Sequence, residues 1–199
     1  MNDTPVKVKR QNHPHDSAVT HVAGTSEFID DRPWQRGELV VGFLYAEIPS
    51  GTVDSIDTSE ALKIDGVAGI YTYKDLAHNI WGAIIHDQPF LVEKEINFYG
   101  EVIAVIAAEN QKAIELAKRA IKLEVTPRKP IFSIEEAKEA GTFLGVPRKI
   151  ECGNIAESFA KATHQLSGVF SCNGQDHFYL ESQASIVYPK EQGQLEVHS

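Results

Sequence analysis

The sequence predicts an α+β fold built on βαβ units, followed by an incomplete segment of mixed strands and helix. Three observations carry this expectation. Residues 97–127 pass from a β-branched apolar run to helical spacing and then to two-residue alternation. A shorter strand, helix, strand order precedes them at residues 53–72. Beyond residue 153 the pattern changes to strands whose sheet does not close.

In chain order, residues 1–20 are polar, carry Pro5 and Pro14 and show no periodicity, so an extended N-terminal arm is expected. Residues 39–47 alternate loosely as a strand, and residues 53–57 form a second. Thr58 then offers an N-cap for a short helix at residues 59–63 that stops at Gly66, and residues 67–72 resume as a strand. In the central stretch, the nearly unbroken apolar run from Val102 to Ala107 reads as a strand buried on both faces. Asn110 is the N-cap of a helix with Ala113, Ile114, Ala117, Ala120 and Ile121 on one face and Lys112, Glu115, Lys118 and Arg119 on the other. Ile121, Leu123 and Val125 then alternate with Lys122 and Glu124 until Pro127. Ten helical residues rise about 15 Å, close to the span of a short strand, so the helix is expected to return the chain along the first strand.

Ser133 and Glu136 make a capping box for a helix at residues 133–140 that Gly141 ends. Residues 147–153 read as a boundary. Asn154 caps another short helix to about Ala162. Strands are expected at residues 166–172 and 182–188, with a turn at 190–193 and a last strand at 195–198. An unfinished sheet suggests a piece of a longer polypeptide.

The 199 residues are 42% hydrophobic and 24% charged, an ordinary globular composition. No apolar run approaches the roughly 18 residues of a membrane helix, and the polar, basic first residues lack a signal-peptide core, so a cytoplasmic protein is expected. A net charge of −9 argues against nucleic acid or membrane as a partner and for a small organic substrate or another subunit. Cys152 and Cys172 fit neither a disulfide framework nor a metal-ligand set and read as buried or idle thiols.

Common active-site signatures are absent: no phosphate-binding glycine loop, no nucleophile elbow, no H-E-x-x-H and no C-x-x-C. Gly66 and Gly69 punctuate a helix end and a strand. His13 and His15 sit in the arm without a third ligand and read as solvated. The pairs Asp30–Asp31 and Glu135–Glu136 favour local backbone rather than acid–base chemistry, and His86 reads as a loop histidine satisfied by Asp87. Chemical density peaks in GQDHFYLESQ, residues 174–183, where amide, carboxylate, imidazole and phenol surround Phe178 and Leu180. Such a connection serves either function or mutual satisfaction of buried groups, and both readings stay open.

Four strings in register, PHDSAVTHVAGTSEFIDDRP from Pro14, IIHDQPFL from Ile84, INFYGEVIAVIAAENQKAIELAKRAIKLEV from Ile96, and GNIAESFAKATHQLSGVFSCNGQDHFYLESQASIVYP from Gly153, resemble the start of the molybdenum-binding subunit of xanthine dehydrogenases and aldehyde oxidases. The family's G-Q-E-H-F-Y-L-E motif is matched from Gly174 to Glu181, with Asp176 in place of glutamate. The resemblance implies an α/β-hammerhead domain at residues 21–148 and a truncated start of the molybdopterin-binding domain at residues 149–199. It also implies a parent enzyme that hydroxylates a purine, another N-heterocycle or an aldehyde with oxygen from water. That parent would carry molybdopterin-bound molybdenum, pass electrons to iron–sulfur clusters and FAD in partner subunits or domains, and be oligomeric.

The family's cofactor-contacting glutamine, glycine-rich loop and basic glutamate have no counterparts here. No catalytic, cofactor or metal residue is therefore assigned and no bound cofactor or activity is expected of these 199 residues alone. Gln175, His177 and Glu181 are expected to line the wall of the parent's cofactor cleft. The alternative is a non-enzymatic hammerhead-type binding or subunit-docking module.

Overall fold

A computed structural model describes residues 15–178 and 183–199. The elements in chain order are α1 (Ala18–Ala23), β1 (Val40–Tyr45), β2 (Gly51–Asp57), β3 (Val67–Tyr71), β4 (Ile80–Trp81), β5 (Gln88–Pro89), β6 (Glu95–Ile96) and β7 (Val102–Ala108). They continue with α2 (Gln111–Ala120), β8 (Lys122–Pro127), α3 (Ile134–Glu139), α4 (Ile155–Lys161), β9 (Ile186–Pro189) and β10 (Leu195–His198). These residues form two compact units, one of Gln35–Thr163 and one that joins the described residues up to Trp34 with those from His164 on.

The larger unit holds two three-stranded antiparallel sheets, β1-β7-β3 and β6-β2-β8. Helix α2 begins where the sequence places it. The Asn110 side chain accepts the Ala113 N–H at 3.0 Å, satisfying one of the donors a helix start leaves open. Spacing along the helix puts Ala113, Ile114 and Ala117 on one face, and all three are buried. They pack with Ile70, Ala104, Ile106, Ala108 and Ile121 on one face of the first sheet. A second cluster of Ala46, Val92, Ile96 and Ile103 is covered by Val53, Leu123 and Val125, and Leu44 and Ile56 border both. Burying a side chain such as Ile114 completely contributes about 2–3 kcal/mol.

The sequence order strand, helix, strand is present as β7, α2 and β8, yet the helix does not return the chain along the first strand. Both edges of β7 are taken, by β1 and β3, so β8 finds its backbone partners on β2 in the other sheet. The run expected to be buried on both faces is covered on one: Ala104, Ile106 and Ala108 are enclosed under α2, whereas Val105 and Ala107 remain partly open. The expected helix at residues 59–63 is a single 3-10 turn, Ala61–Lys63. Its entry is held by Asp57, whose carboxylate accepts the Ser59 N–H at 2.9 Å, and no side-chain cap comes from Thr58. At the end of that stretch, Gly66 adopts φ +85°, as the sequence reading requires.

Helices α3 and α4 are capped as expected, with Ser133 accepting the Glu136 N–H at 3.1 Å and Asn154 accepting that of Glu157 at 3.1 Å. Gly141 follows at φ +67°.

In the smaller unit β9 and β10 form an antiparallel hairpin closed by Lys190 N–H to the Gln194 carbonyl at 2.8 Å. Helix α1 occupies the end of the expected arm. Its chain is stopped by Gly24 at φ +68°, with Thr25 N–H bonded back to the Thr20 carbonyl at 2.9 Å. The expected strand at 166–172 is not formed: these residues have no ladder partner among the described residues. Of the strand expected at 182–188, residue 182 lies outside the described residues and pairing begins at Ile186.

Candidate functional site

The chemically dense stretch from Gly174 lies in the smaller unit and has no regular secondary structure at its described residues, 174–178. Gln175, Asp176 and His177 are solvent-exposed, and Phe178 beside them is 98% exposed. Tyr179, Leu180 and Glu181 lie outside the described residues. The expected wall residues Gln175 and His177 thus stand exposed outside any strand or helix rather than in an enclosed connection. Phe178 shares this exposure with Leu166, Val169 and Phe170 earlier in the same unit.

A cleft of about 840 Å³ lies within the same unit, lined by Glu27, Phe28, Asp30, Asp31 and Arg32 on one side and Gln183, Ala184 and Ser185 on the other. Asp31 also accepts the Phe28 N–H at 2.9 Å, as the local reading of the Asp30–Asp31 pair anticipates. The approach of residues 183–185 to these carboxylates has no signal in the sequence. Three carboxylates against one guanidinium would repel an anionic group. The cleft therefore does not fit molybdopterin, which carries a phosphate. Among the described residues no group of three or more His, Cys, Asp or Glu side chains is arranged to hold a metal.

On the hairpin, Glu196 accepts from Lys190 Nζ at 2.6 Å and lies 2.6 Å from His198 Nε2. The lysine hydrogen bond, with the histidine behind it, holds the Glu196 carboxyl below its ordinary value of 4.5.

In the larger unit, the Asn79 side-chain amide imitates a strand partner. It donates to the Leu91 carbonyl at 2.8 Å and accepts the Leu91 N–H at 3.0 Å, fixing the base of the loop that carries β4 and β5. The tip presents Trp81 at 53%, Ile84 at 91% and Ile85 at 57% exposure. The sequence reading missed this clamp, because a lone asparagine twelve residues from its partner makes no pattern. His86 and Asp87 are exposed on this loop, and no hydrogen bond joins them among the described residues. His15 accepts the Ser17 N–H at 3.2 Å, while His13 lies outside the described residues. Cys152 and Cys172 are both exposed and free, so of the two readings, buried or idle, burial is excluded.

Two antiparallel sheets, one of them covered by the capped helix α2, define a small α+β domain, and the second unit adds the β9-β10 hairpin and helix α1. Residues 23–129 match the family described as aldehyde oxidase and xanthine dehydrogenase, a/b hammerhead domain, and residues 135–199 match the molybdopterin cofactor-binding domain. The chain belongs to the aldehyde oxidase and xanthine dehydrogenase hammerhead family.

Among curated relatives, a xanthine dehydrogenase of Drosophila subobscura is 33% identical over 187 residues, 92% of this chain and 14% of the relative. Aldehyde oxidase 4 of Cavia porcellus is 31% identical over 183 residues, 89% of this chain and 13% of the relative. An aldehyde oxidoreductase from Desulfovibrio gigas has a similar structure with a TM-score of 0.52 and 28% identity, over 58% of this chain and 14% of that one. The chain therefore spans about 14% of the length of the curated relatives it matches. Among the described residues no helix is long and apolar enough to cross a membrane.

Proposed function

We propose that these 199 residues are the N-terminal part of a molybdenum-binding hydroxylase subunit, with the hammerhead domain at residues 21–148 and the start of the molybdopterin-binding domain at 149–199. The observation that carries this reading is the order of the two family matches, 23–129 and then 135–199, in one chain. The parent enzyme hydroxylates a purine, another N-heterocycle or an aldehyde, taking the oxygen from water. Iron–sulfur clusters and FAD in partner subunits or domains accept the electrons, and the assembly is cytoplasmic and oligomeric.

Within that enzyme this chain supplies structure rather than reacting groups. The acidic cleft of the smaller unit offers no anion site, so the cofactor is held elsewhere in the parent. Gln175, His177 and Glu181 form a wall of its cleft once the surfaces that cover Phe178 are in place. The cofactor supplies the redox chemistry, and the protein positions it.

The test is isotopic. The native assembly that contains these residues, isolated from its source, is given xanthine, an aromatic aldehyde and an N-heterocycle in ¹⁸O-labelled water, with a redox dye to accept the two electrons of each turnover. Incorporation of the label into at least one product is the expected result. Turnover of none of the three, or oxygen drawn from O₂, would contradict the assignment.

A further inference from the structure

All three strands of the first sheet read as continuous apolar runs, VVGFLY in β1, VAGIY in β3 and VIAVIAA in β7. Such runs belong to strands covered on both faces. Helix α2 covers one face only. On the other, Val41 pairs across the sheet with Ala107, and Phe43 with Val105 and through it Tyr71. Val41 is 52%, Phe43 38%, Tyr45 46% and Tyr71 48% exposed. The face is ordered: the Phe43 and Tyr45 rings lie 5.9 Å apart, and the Tyr71 ring folds back over the space a Cβ at Gly69 would take, with its hydroxyl 2.8 Å from that point.

Three strands about 4.8 Å apart, with about five residues each at 3.3 Å, give a platform of roughly 14 by 17 Å. That is roughly 240 Å² of footprint, well short of the ~800 Å² per partner that a stable association of separate molecules uses. A second copy of this chain would not be retained on so small a patch. A segment of the same polypeptide would, because covalent connection supplies a high effective concentration. The curated relatives have ample chain to provide one, since this sequence spans only 14% of their length.

We infer that the open face of the β1-β7-β3 sheet is the docking surface for an apolar segment of the same polypeptide from outside these 199 residues. This inference rests on the proposal that the chain is part of a longer subunit.

Thiol accessibility tests it. In a background where the exposed Cys152 and Cys172 are changed to serine, Phe43→Cys and, independently, Val41→Cys report the open face. Lys112→Cys reports the wet face of α2. In the 199-residue chain all three react with a maleimide at similar rates, whatever the protein concentration. In the longer polypeptide the two sheet positions react at least about tenfold more slowly and Lys112→Cys is unchanged. Equal rates at the sheet positions in both proteins would overturn the inference, as would protection in the 199-residue chain that grows with concentration, the mark of a second copy. If the source makes no polypeptide longer than 199 residues, its mass shows this before any labelling, and the parent assignment fails along with the inference.

Discussion

The Ile114 side chain sits directly over Gly42, so that a Cβ at residue 42 would fall within its γ-methyl group and 3.2 Å from its δ-carbon. Helix α2 approaches strand β1 this closely only because residue 42 has no side chain. Gly42→Ala is therefore expected to cost about 1–3 kcal/mol through overpacking, and Gly42→Val more. The double change Gly42→Ala with Ile114→Ala, which removes the γ-methyl group that the new Cβ would meet, should by chemical denaturation be less destabilised than the sum of the single changes. Simple additivity would mean that the two residues do not meet.

A second expectation concerns the Asn79 clamp. Asn79→Ala leaves the main chain of Leu91, a residue only 4% exposed, without its partners, and should cost about 1–3 kcal/mol. Amide exchange at Leu91 should rise far more than at Ile106 in the sheet centre. Unchanged exchange at Leu91 would show that the loop base is held by something else.

The β9-β10 hairpin carries the clearest pH dependence. Glu196 is held below 4.5 by Lys190 and then His198. Because its folded value is depressed, its contribution to stability is complete above 4.5 and is lost as pH falls through the lowered folded value. The carboxyl is solvent-exposed, so the effect is small and screened by salt. A side-chain NMR titration should place the Glu196 midpoint below 4.5 and move it upward in Lys190→Gln. An unchanged midpoint in that variant would remove the lysine as the cause.

Helix phase and caps were legible in the sequence because they depend on local spacing. Asn110, Ser133 and Asn154 each cap the helix expected of them, and Ile114 and Ala117 face inward. Sheet membership was not legible, because it depends on which edges are free. Nothing near Val125 announces that its strand pairs with Val53, seventy-two residues earlier in the chain, rather than beside β7. The missing cover is a related case. The apolar run of β7 reads as buried on both faces, whereas among the described residues only the face under α2 is enclosed. At the site, the motif from Gly174 points to the right family while revealing nothing of its exposure. Gln175 and Phe178 are solvent-exposed, which no local pattern of the sequence shows.

The central claim, that this chain belongs to a molybdenum hydroxylase subunit, is tested most directly by capturing the native polypeptide from its source with an antibody raised against residues 23–129. Its mass and molybdenum content are then measured together. The account predicts a polypeptide well above 22.0 kDa carrying about one molybdenum per copy. A 22.0 kDa product, or a longer one free of molybdenum after isolation under conditions that preserve metal sites, would contradict it.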